Sequence, residues 1–332
     1  MHWKLALVGD VMLGRSVAER LRREPTAALV DGQIVEALRS ADVTLANLEC
    51  CISDRGQRWP DPRKPFFFRA PPVAAERLAQ WGVDAVTLAN NHALDYGVDA
   101  MVDTLWHLAD AGVLAVGAGA DVTAARRPLQ VQVQDLSVGV VAFSDHPDDY
   151  AATQYRPGTA YADLRSGDIA WVDIAVRTLR TDVTVVTPHW GPNMTQTPCP
   201  AVRAGAVRVV DAGATLVAGH SAHVFHGVGM VSGRPVLYDL GDFLDDYWVY
   251  PELRNDLGLV WTVVFDGGTP VRIEALPVRL EYCATRSAPP AEARQIAGRL
   301  RRACAEFGTE VEQQGGRLVL YLDQWEDESK TR

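Results

Sequence analysis

A polar loop between an apolar run and an amphipathic segment constrains the fold of this chain most. Residues 83–89 are mostly apolar, which predicts a buried parallel strand, and residues 98–111 have the spacing of an amphipathic helix. The loop at 90–97, Asn-Asn-His-Ala-Leu-Asp-Tyr-Gly, therefore follows the carboxyl end of a strand. Ligands bind at that edge of open α/β sheets, so the loop is a candidate site. The same residues are also typical of turns and helix caps, and this alternative stays open here.

Four other predicted strands, over 3–8, 42–49, 183–187 and 215–218, also lead into polar groups that bind metals or transfer protons. The groups at or just after their carboxyl ends are Asp10, Glu49, His189, His220 and His223. Asn91 and His92 add an amide oxygen and an imidazole from the loop at 90–97. Chance placement explains one or two such positions but not all of them. The pattern therefore predicts a metal or acid/base site.

The charge and hydropathy of the chain argue against two classes of partner, nucleic acids and membranes. Its 332 residues carry a formal net charge of −10 without a basic stripe, which argues against a nucleic-acid partner. No apolar run is long enough for a membrane span, and residues 1–9 predict a short strand instead of a signal peptide. We therefore expect a cytoplasmic protein without a membrane partner.

The cysteines predict no structural framework. They are odd in number, at five, and their spacing fits no zinc motif, which favours reduced thiols. Cys50 and Cys51 are adjacent, an unfavourable geometry for a disulfide. Because they follow Glu49 directly, a role of these thiols in the site stays open.

The rest of the pattern predicts helices and strands around two long loops. Helices are expected over 32–41, 71–81, 168–180, 200–212 and 291–307. The loops at 50–70 and 144–166 are longer than usual, as functional loops often are. We expect residues 1–285 to form the main domain. The C-terminal helix and strand of 286–332 would pack on that domain, and the polar tail at 323–332 would fray.

Several motifs resemble the series found in CapA-like proteins, a family associated with poly-γ-glutamate capsule synthesis. The resemblance covers residues 3–244. The motifs are Gly9-Asp-Val-Met-Leu-Gly14, Asn47-Leu-Glu49, Phe68-Arg-Ala-Pro-Pro72, Asn90-Asn-His-Ala-Leu-Asp-Tyr-Gly97, His189-Trp-Gly191 and Gly219-His-Ser-Ala-His223. The resemblance implies the calcineurin-like, metallo-dependent phosphatase-like fold. That fold is a four-layer α/β/β/α sandwich with metal ligands on loops at one end.

The resemblance also implies roles for individual residues. Asp10, Glu49, Asn91 and His189 match metal-ligand positions, and His220 joins them as a candidate ligand. His92 matches the histidine that donates a proton in phosphoesterases, and His223 matches a metal-binding histidine of the last motif.

Departures from the family pattern change the expected metal. Met12 and Ser221 stand where phosphoesterases usually carry histidine, and Asn193 stands where glutamate is usual. The carboxylates Asp239 and Asp242 and the imidazole of His226 are additional groups. The remaining donor set is rich in oxygen, which favours one divalent cation, Ca²⁺, Mg²⁺ or Mn²⁺, over zinc.

Three functional hypotheses follow. The first is a peptide epimerase, because the chain resembles a cytoplasmic branch of the family that inverts the C-terminal α-carbon of lasso-peptide precursors. The second is a phosphoesterase or amide hydrolase linked to poly-γ-glutamate metabolism, and the third is a non-enzymatic polymer-binding subunit. For the first, His92 with Asp95 would form one acid/base pair. His223 or His226 with Asp242 or Asp239 would form the other.

The substrate expected under the first hypothesis is a peptide or a peptide-like molecule. Arg15, Arg69 and Trp190 are the side chains that we assign to substrate binding. An aromatic subsite built from residues 66–68, 190 and 247–248 is an open alternative to simple core packing of these rings.

Overall fold

The computed structural model describes residues 2–322, and the tail expected to fray at 323–332 lies outside them. The strands are β1 His2–Val11, β2 Val43–Leu48, β3 Cys51–Ile52, β4 Arg69–Ala70, β5 Ala85–Thr87, β6 Leu114–Val116, β7 Ala118–Gly119, β8 Leu129–Val133, β9 Leu136–Ser144, β10 Gly158–Thr159, β11 Val183–His189, β12 Leu216–Ala218, β13 Val228–Val231, β14 Arg234–Leu237, β15 Asp242–Leu244, β16 Leu257–Asp266, β17 Thr269–Glu281, β18 Ala284–Ser287, β19 Glu312–Gln314 and β20 Arg317–Tyr321. The helices are α1 Arg15–Arg23, α2 Gly32–Arg39, α3 Val73–Trp81, α4 Gly97–Asp110, α5 Val122–Ala125, α6 Ala170–Thr178, α7 Pro200–Ala212 and α8 Pro290–Ala305.

Two large mixed sheets organise the described residues. One has the order β19-β20-β17-β16-β1-β2-β5-β6, and the other has the order β13-β14-β12-β11-β9-β8. Strands β1, β2, β5 and β6 run parallel to one another, and so do β9, β11, β12 and β14. Parallel neighbours end at one edge of their sheet, so their polar terminal residues are collected there.

Apolar side chains on both faces of each sheet produce four layers. Along β1, Trp3, Leu5 and Leu7 belong to the core between the sheets, while Ala6 and Val8 belong to the core under α1–α4. This alternation follows the two-residue period of a strand. Helices α6 and α7 cover the outer face of the second sheet through a third core. The α/β class and the four-layer α/β/β/α sandwich are thus confirmed.

The structure differs from the sequence expectations at two segments near the site. Residues 15–23 form helix α1, although the sequence predicted no helix over this range. The helix has many charged residues, so its helical hydrophobic pattern is weak in the sequence. Its short apolar face of Val17, Ala18 and Leu21 is buried. Strand β11 also continues beyond the expected end at 187, so His189 is its last residue.

The C-terminal segment joins the same layers. Ile296 and Leu300 of α8 are part of the core between the sheets, and β20 pairs with β17. The division of the chain at residue 285 stays a prediction. None of the helices in residues 2–322 has the length and apolar character that crossing a membrane requires.

Gly9 allows two acidic strand ends to lie side by side. A methyl group at this position would overlap the main-chain oxygen of Gly241. That oxygen accepts a hydrogen bond from Asp10 N at 2.9 Å, and Asp10 is in register with Asp242 across β1 and β15. Glycine is therefore the residue that lets β15 carry Asp242 to the side of Asp10.

We expect Gly9→Ala to lower the free energy of unfolding by about 1–3 kcal/mol, because the backbone of β15 must move. Binding of a divalent cation should weaken too, since Asp242 moves together with β15. Gly32→Ala is the matched control, because a methyl group there meets nothing within 4 Å. Urea denaturation of both variants checks the prediction, and equal stabilities would contradict it.

Candidate metal and acid/base centre

Residues from both sheets meet where the parallel strands end. Asp10 is the next-to-last residue of β1, Glu49 follows β2, and His189 ends β11. His220 and His223 lie in the turn after β12, where His189 and His220 form a parallel bridge. All of these side chains are buried. The structure therefore brings together groups that the sequence places up to 213 positions apart, between Asp10 and His223.

Four buried side chains form the centre of the cluster. One donor atom from each of Asp10, Glu49, His223 and Asp242 lies within 4.8 Å of the other three. His223 Nδ1 is 2.8 Å from Asp242 Oδ1 and 3.2 Å from Asp10 Oδ2, while its Nε2 is 3.8 Å from Glu49 Oε1. These spacings are short enough for the four groups to share one ion at 2.3–2.6 Å per ligand.

His189 and His220 extend the cluster toward the second sheet. His189 Nε2 lies 4.0 Å from Glu49 Oε1, and His220 Nδ1 lies 3.2 Å from Asp10 Oδ1. The amide of Asn47 donates to Asp10 Oδ1 at 2.7 Å and lies 3.4 Å from His189 Nδ1. Asn47 therefore holds a carboxylate and an imidazole from different sheets.

Several donor atoms of the cluster are buried but not satisfied. Within residues 2–322, Glu49 Oε1, His189 Nε2 and Asp242 Oδ2 have no hydrogen-bond partner, and Asn91 Oδ1 on the loop at 90–97 also has none. Leaving buried polar atoms unpaired is costly, and a bound cation would satisfy them. The donor set of Asp10, Glu49, His223 and Asp242 consists of three carboxylates and one imidazole, so it fits a divalent cation.

His92 lies beside this cluster in a network of its own. Its Nδ1 is 2.6 Å from Asp95 Oδ2, and its Nε2 is 4.0 Å from Glu49 Oε1. Asp95 also accepts hydrogen bonds from Phe68 N at 2.6 Å and from the Tyr150 hydroxyl at 3.1 Å. The ammonium of Lys64 lies 2.9 Å from Asp95 Oδ1. Asp95 is thus held on all sides and fixes the orientation of the imidazole.

Burial and neighbouring charges shift the proton affinities of the cluster. Burial alone raises the pKa of Asp10, but hydrogen bonds to His220 and His223 hold it well below its usual value. Burial raises the pKa of Glu49 and of Asp242 well above the usual range, against the attraction of His223. Burial lowers the pKa of His223, but Asp242 and Glu49 reverse this effect and raise it. The cluster without a cation therefore holds protons near neutral pH.

Because the protons on the carboxyl groups must leave when these groups bind a cation, cation binding should release protons. The raised pKa values of Glu49 and Asp242 give the sign, so the apparent affinity should rise with pH. Each proton released contributes a slope of about one log unit per pH unit. Calorimetric titration with Mn²⁺ in two buffers of different ionisation enthalpy measures this release. Equal heats in both buffers and a pH-independent affinity would rule it out.

The cluster opens into a cavity of about 650 Å³. His92 and His223 both line it, together with Arg15, Phe68 and Tyr247. The hydroxyl group of Tyr247 donates to Glu49 Oε2 at 3.3 Å. The volume falls in the range of small-molecule and short-peptide sites. Both histidines can therefore contact a molecule that binds in this cavity.

Three residues assigned from the sequence lie away from this cavity. Arg69 stacks its guanidinium 4.1 Å from the ring centroid of Tyr96, and its Nη1 donates to the main chain of Arg55. Trp190 is buried in the core beneath α6 and α7. His226 lies 2.9 Å from Thr195 O and lines a small separate cavity. These three side chains therefore do not reach the cluster. Each is held by contacts to residues that lie away from it.

The loop at 90–97 divides its residues between two surfaces. The main-chain oxygen of Asn91 accepts a hydrogen bond from Lys64 Nζ at 2.8 Å, and Asn91 lines a second cavity of about 300 Å³ with His146. Asn90 instead points inward and donates to Asn47 Oδ1 at 2.8 Å. The loop thus serves both as a tightly bonded turn and as a part of the site.

The sequence reasoning missed the residues that support the cluster. Asn47, Lys64 and His146 were not assigned a role, and Tyr247 was considered only for an aromatic subsite. Each of them contacts or lies against a residue of the cluster or of the His92 network. Asn47 had a detectable signal, because it lies two positions before Glu49 and so on the same face of β2. The others come from loops whose path no local pattern predicts.

Comparisons with known proteins agree on one family. The family model of the bacterial capsule synthesis protein PGA_cap matches residues 4–247. A relative named "Probable polyglutamine synthesis accessory protein" from Mycobacterium tuberculosis is 34% identical, over 92% of this chain and 92% of its own. The PGA biosynthesis protein CapA of Bacillus subtilis is 28% identical, over 82% of this chain and 70% of its own.

Solved structures agree on the fold. A phosphatase from Mycoplasma pneumoniae superposes with a TM-score of 0.52 over 89% of this chain and 97% of its own, at 10% identity. A hypothetical protein from Thermus thermophilus superposes with a TM-score of 0.50 over 82% of this chain and 98% of its own, at 14% identity. The fold is that of the calcineurin-like metallophosphoesterases. The family match and the relatives together show that this chain belongs to the family of the bacterial capsule synthesis protein PGA_cap, the CapA-like proteins.

Proposed function

We propose that the chain is a metal-dependent acid/base enzyme that inverts an α-carbon of a peptide, at the residue that carries the C-terminal carboxylate. One observation carries the proposal. His92 is paired with Asp95 and His223 with Asp242, and both histidines line one cavity. Their Nε2 atoms lie 4.0 and 3.8 Å from the same carboxylate oxygen of Glu49. Inversion needs one proton-transfer group on each side of a carbon, and hydrolysis needs only one.

In this proposal His92 removes or returns the α-proton on one side. Asp95 holds the imidazole by its Nδ1, which leaves Nε2 to face the substrate. Burial lowers the pKa of His92 to about 4, against the opposing effect of Asp95, so its imidazole is neutral at pH 7. A neutral imidazole can accept a proton, which suits a general base.

His223 is the proposed group on the opposite side. Asp242 Oδ1 lies 2.8 Å from Nδ1 of His223 and orients the imidazole. The pKa of His223 is raised by Asp242 and Glu49 against the effect of burial, so the imidazole carries a proton that it can donate. His92 and His223 would exchange roles when the reaction runs in reverse. His226, the sequence alternative for this role, contacts Thr195 instead, and we therefore assign the second pair to His223.

The α-proton beside a carboxylate is weakly acidic, so charge on that carboxylate must be stabilised. Asp10, Glu49, Asn91, His189, His220 and Asp242 are the groups that would hold a divalent cation at this place. A bound cation supplies electrostatic stabilisation of developing negative charge. Ca²⁺, Mg²⁺ or Mn²⁺ suits these residues better than zinc.

Incubation of peptides with free carboxyl ends in D₂O, with protein and Ca²⁺, tests the proposal. We expect one deuterium at the C-terminal α-carbon and the appearance of the D-residue, measured by mass spectrometry and chiral analysis. A shorter product without α-deuterium would indicate a hydrolase instead. A bound but unchanged peptide would indicate a binding protein. The setting that we propose is ribosomal peptide maturation of the lasso type in the cytoplasm, without nucleic acid or membrane.

Hydrolysis of a phosphoester or an amide is the second candidate. It is favoured by the donors around Glu49 Oε1, where His189 Nε2 lies 4.0 Å away and His223 Nε2 lies 3.8 Å away. Two-metal hydrolysis uses ions about 3.5–4 Å apart. Elemental analysis that finds two tightly held zinc or iron ions per chain would favour this candidate. The names of the relatives also support a third candidate, an accessory subunit that binds a glutamate polymer.

A further inference from the structure

The rim of the 650 Å³ cavity is aromatic and accessible. We call the cavity and this rim the cleft. Trp248 is 76% exposed, Tyr282 is 71% exposed and Phe66 is 54% exposed, and all three line the cleft. Exposed aromatic rings around a concave site are unusual on a protein surface, and they supply contact area for apolar ligand groups. The rim therefore favours apolar and aromatic side chains in the bound molecule.

The described residues of the cleft offer an anion no free cationic side chain. Its lining contains the carboxyl groups of Asp245, Asp246, Asp256 and Glu281. Among the described lining residues, Arg15 is the one lysine or arginine. Its Nε donates to Asp246 Oδ1 at 2.9 Å, and its Nη2 donates to the main chain of Asp246 at 3.2 Å. Arg15 is thus already engaged by an acid.

The arginines next to the carboxylates of the cleft are also held in ion pairs. Arg254 pairs with Asp256 at 2.7 Å, and Arg279 forms an ion pair with Glu281. The guanidinium of Arg15 lies 5.2–5.5 Å from the ring centroids of Phe66, Phe68 and Tyr247, which stabilise its position. A ligand with a carboxylate on every residue would find no free cationic side chain among the described residues of this cleft.

We propose that the cleft binds a neutral peptide segment with aromatic or aliphatic side chains and selects against a polyglutamate chain. The proposal rests on the proposed function only in taking a peptide as the ligand. The single carboxylate of that peptide would reach the Asp10–Glu49 cluster, where the cation is expected. The side chains behind it would lie along the aromatic rim.

Calorimetric titration with three probes in the presence of Ca²⁺ tests this proposal. The probes are the hexapeptide Gly-Leu-Phe-Gly-Leu-Phe with a free carboxyl end, hexa-α-glutamate and hexa-γ-glutamate. We expect the neutral peptide to bind at least about 10-fold more tightly than either glutamate oligomer. Added salt should narrow the difference, because it screens repulsion between carboxylates. Equal or tighter binding of a glutamate oligomer would overturn the proposal.

Rim variants give a second readout. Trp248→Ala and Tyr282→Ala should each weaken binding of the neutral peptide about 10-fold, as is typical for aromatic contact residues. Trp106→Ala is the matched control, since Trp106 is 63% exposed on α4 and does not line the cleft. Unchanged affinity in both rim variants would also overturn the proposal.

These titrations do not depend on turnover. Binding of the neutral peptide without deuterium uptake would contradict the proposed reaction and leave the cleft proposal intact. Deuterium uptake together with preferred binding of a glutamate oligomer would support the proposed reaction and overturn the cleft proposal.

Discussion

Glu49→Gln is expected to lower the affinity for a divalent cation by at least about 100-fold and to abolish turnover. Glu49 Oε1 is buried, lacks a hydrogen-bond partner within residues 2–322, and faces Nε2 of His92, His189 and His223 at 3.8–4.0 Å. It is the atom on which these three imidazoles converge. Loss of even an outer partner of a metal site typically costs 10–100-fold, so loss of a direct carboxylate ligand should cost more.

The same variant should fold normally. Glutamine keeps the shape of the side chain, and burial already raises the pKa of Glu49, so a neutral group is tolerated there. We expect the free energy of unfolding of the metal-free protein to change by less than about 1 kcal/mol. Calorimetric titration with Mn²⁺ and elemental analysis measure the binding. Glu306→Gln, at an exposed glutamate, is the control. Wild-type cation affinity in Glu49→Gln would remove Glu49 from the site.

His92→Ala is expected to lower the rate of inversion by about 10²–10⁴-fold, the usual contribution of a positioned acid or base. Cation affinity should change only slightly, because His92 Nε2 lies 4.0 Å from Glu49 and its Nδ1 is engaged by Asp95. Chiral analysis of the product and a parallel Mn²⁺ titration separate the two effects. Loss of both activity and cation would make His92 a ligand, and full activity would exclude the proposed mechanism.

A partial reaction distinguishes the two proton-transfer groups. If His92 and His223 act on opposite sides of the carbon, His92→Ala should still exchange the α-proton of one stereoisomer through His223. Deuterium would then appear without inversion, and only for one of two substrates that differ in chirality. Asp95→Asn should reduce the rate less than His92→Ala, since the imidazole remains but is poorly oriented. Wild-type inversion in Asp95→Asn would show that this hydrogen bond is dispensable.

The sequence by itself determined the fold class and the edge of the sheets that carries the chemistry. Apolar runs with strand and helix periods are local signals, and they place the polar groups at 10, 49 and 189 at or just after predicted strand ends. The four-layer arrangement came from the family resemblance, because no local pattern states that two sheets pack face to face. Helix α1 was missed since its apolar face is only three residues wide.

Only the tertiary structure decided which groups act together. Asp242 pairs with His223 and not with His226, because β15 lies beside β1, and Gly9 is the residue that permits this approach. Arg69 and Trp190 turn away from the cavity for a similar reason: their loops are held by contacts to Tyr96 and Tyr238. A linear sequence lists the reactive groups at strand ends. The orientation of each group depends on packing and hydrogen bonds to segments far away along the chain.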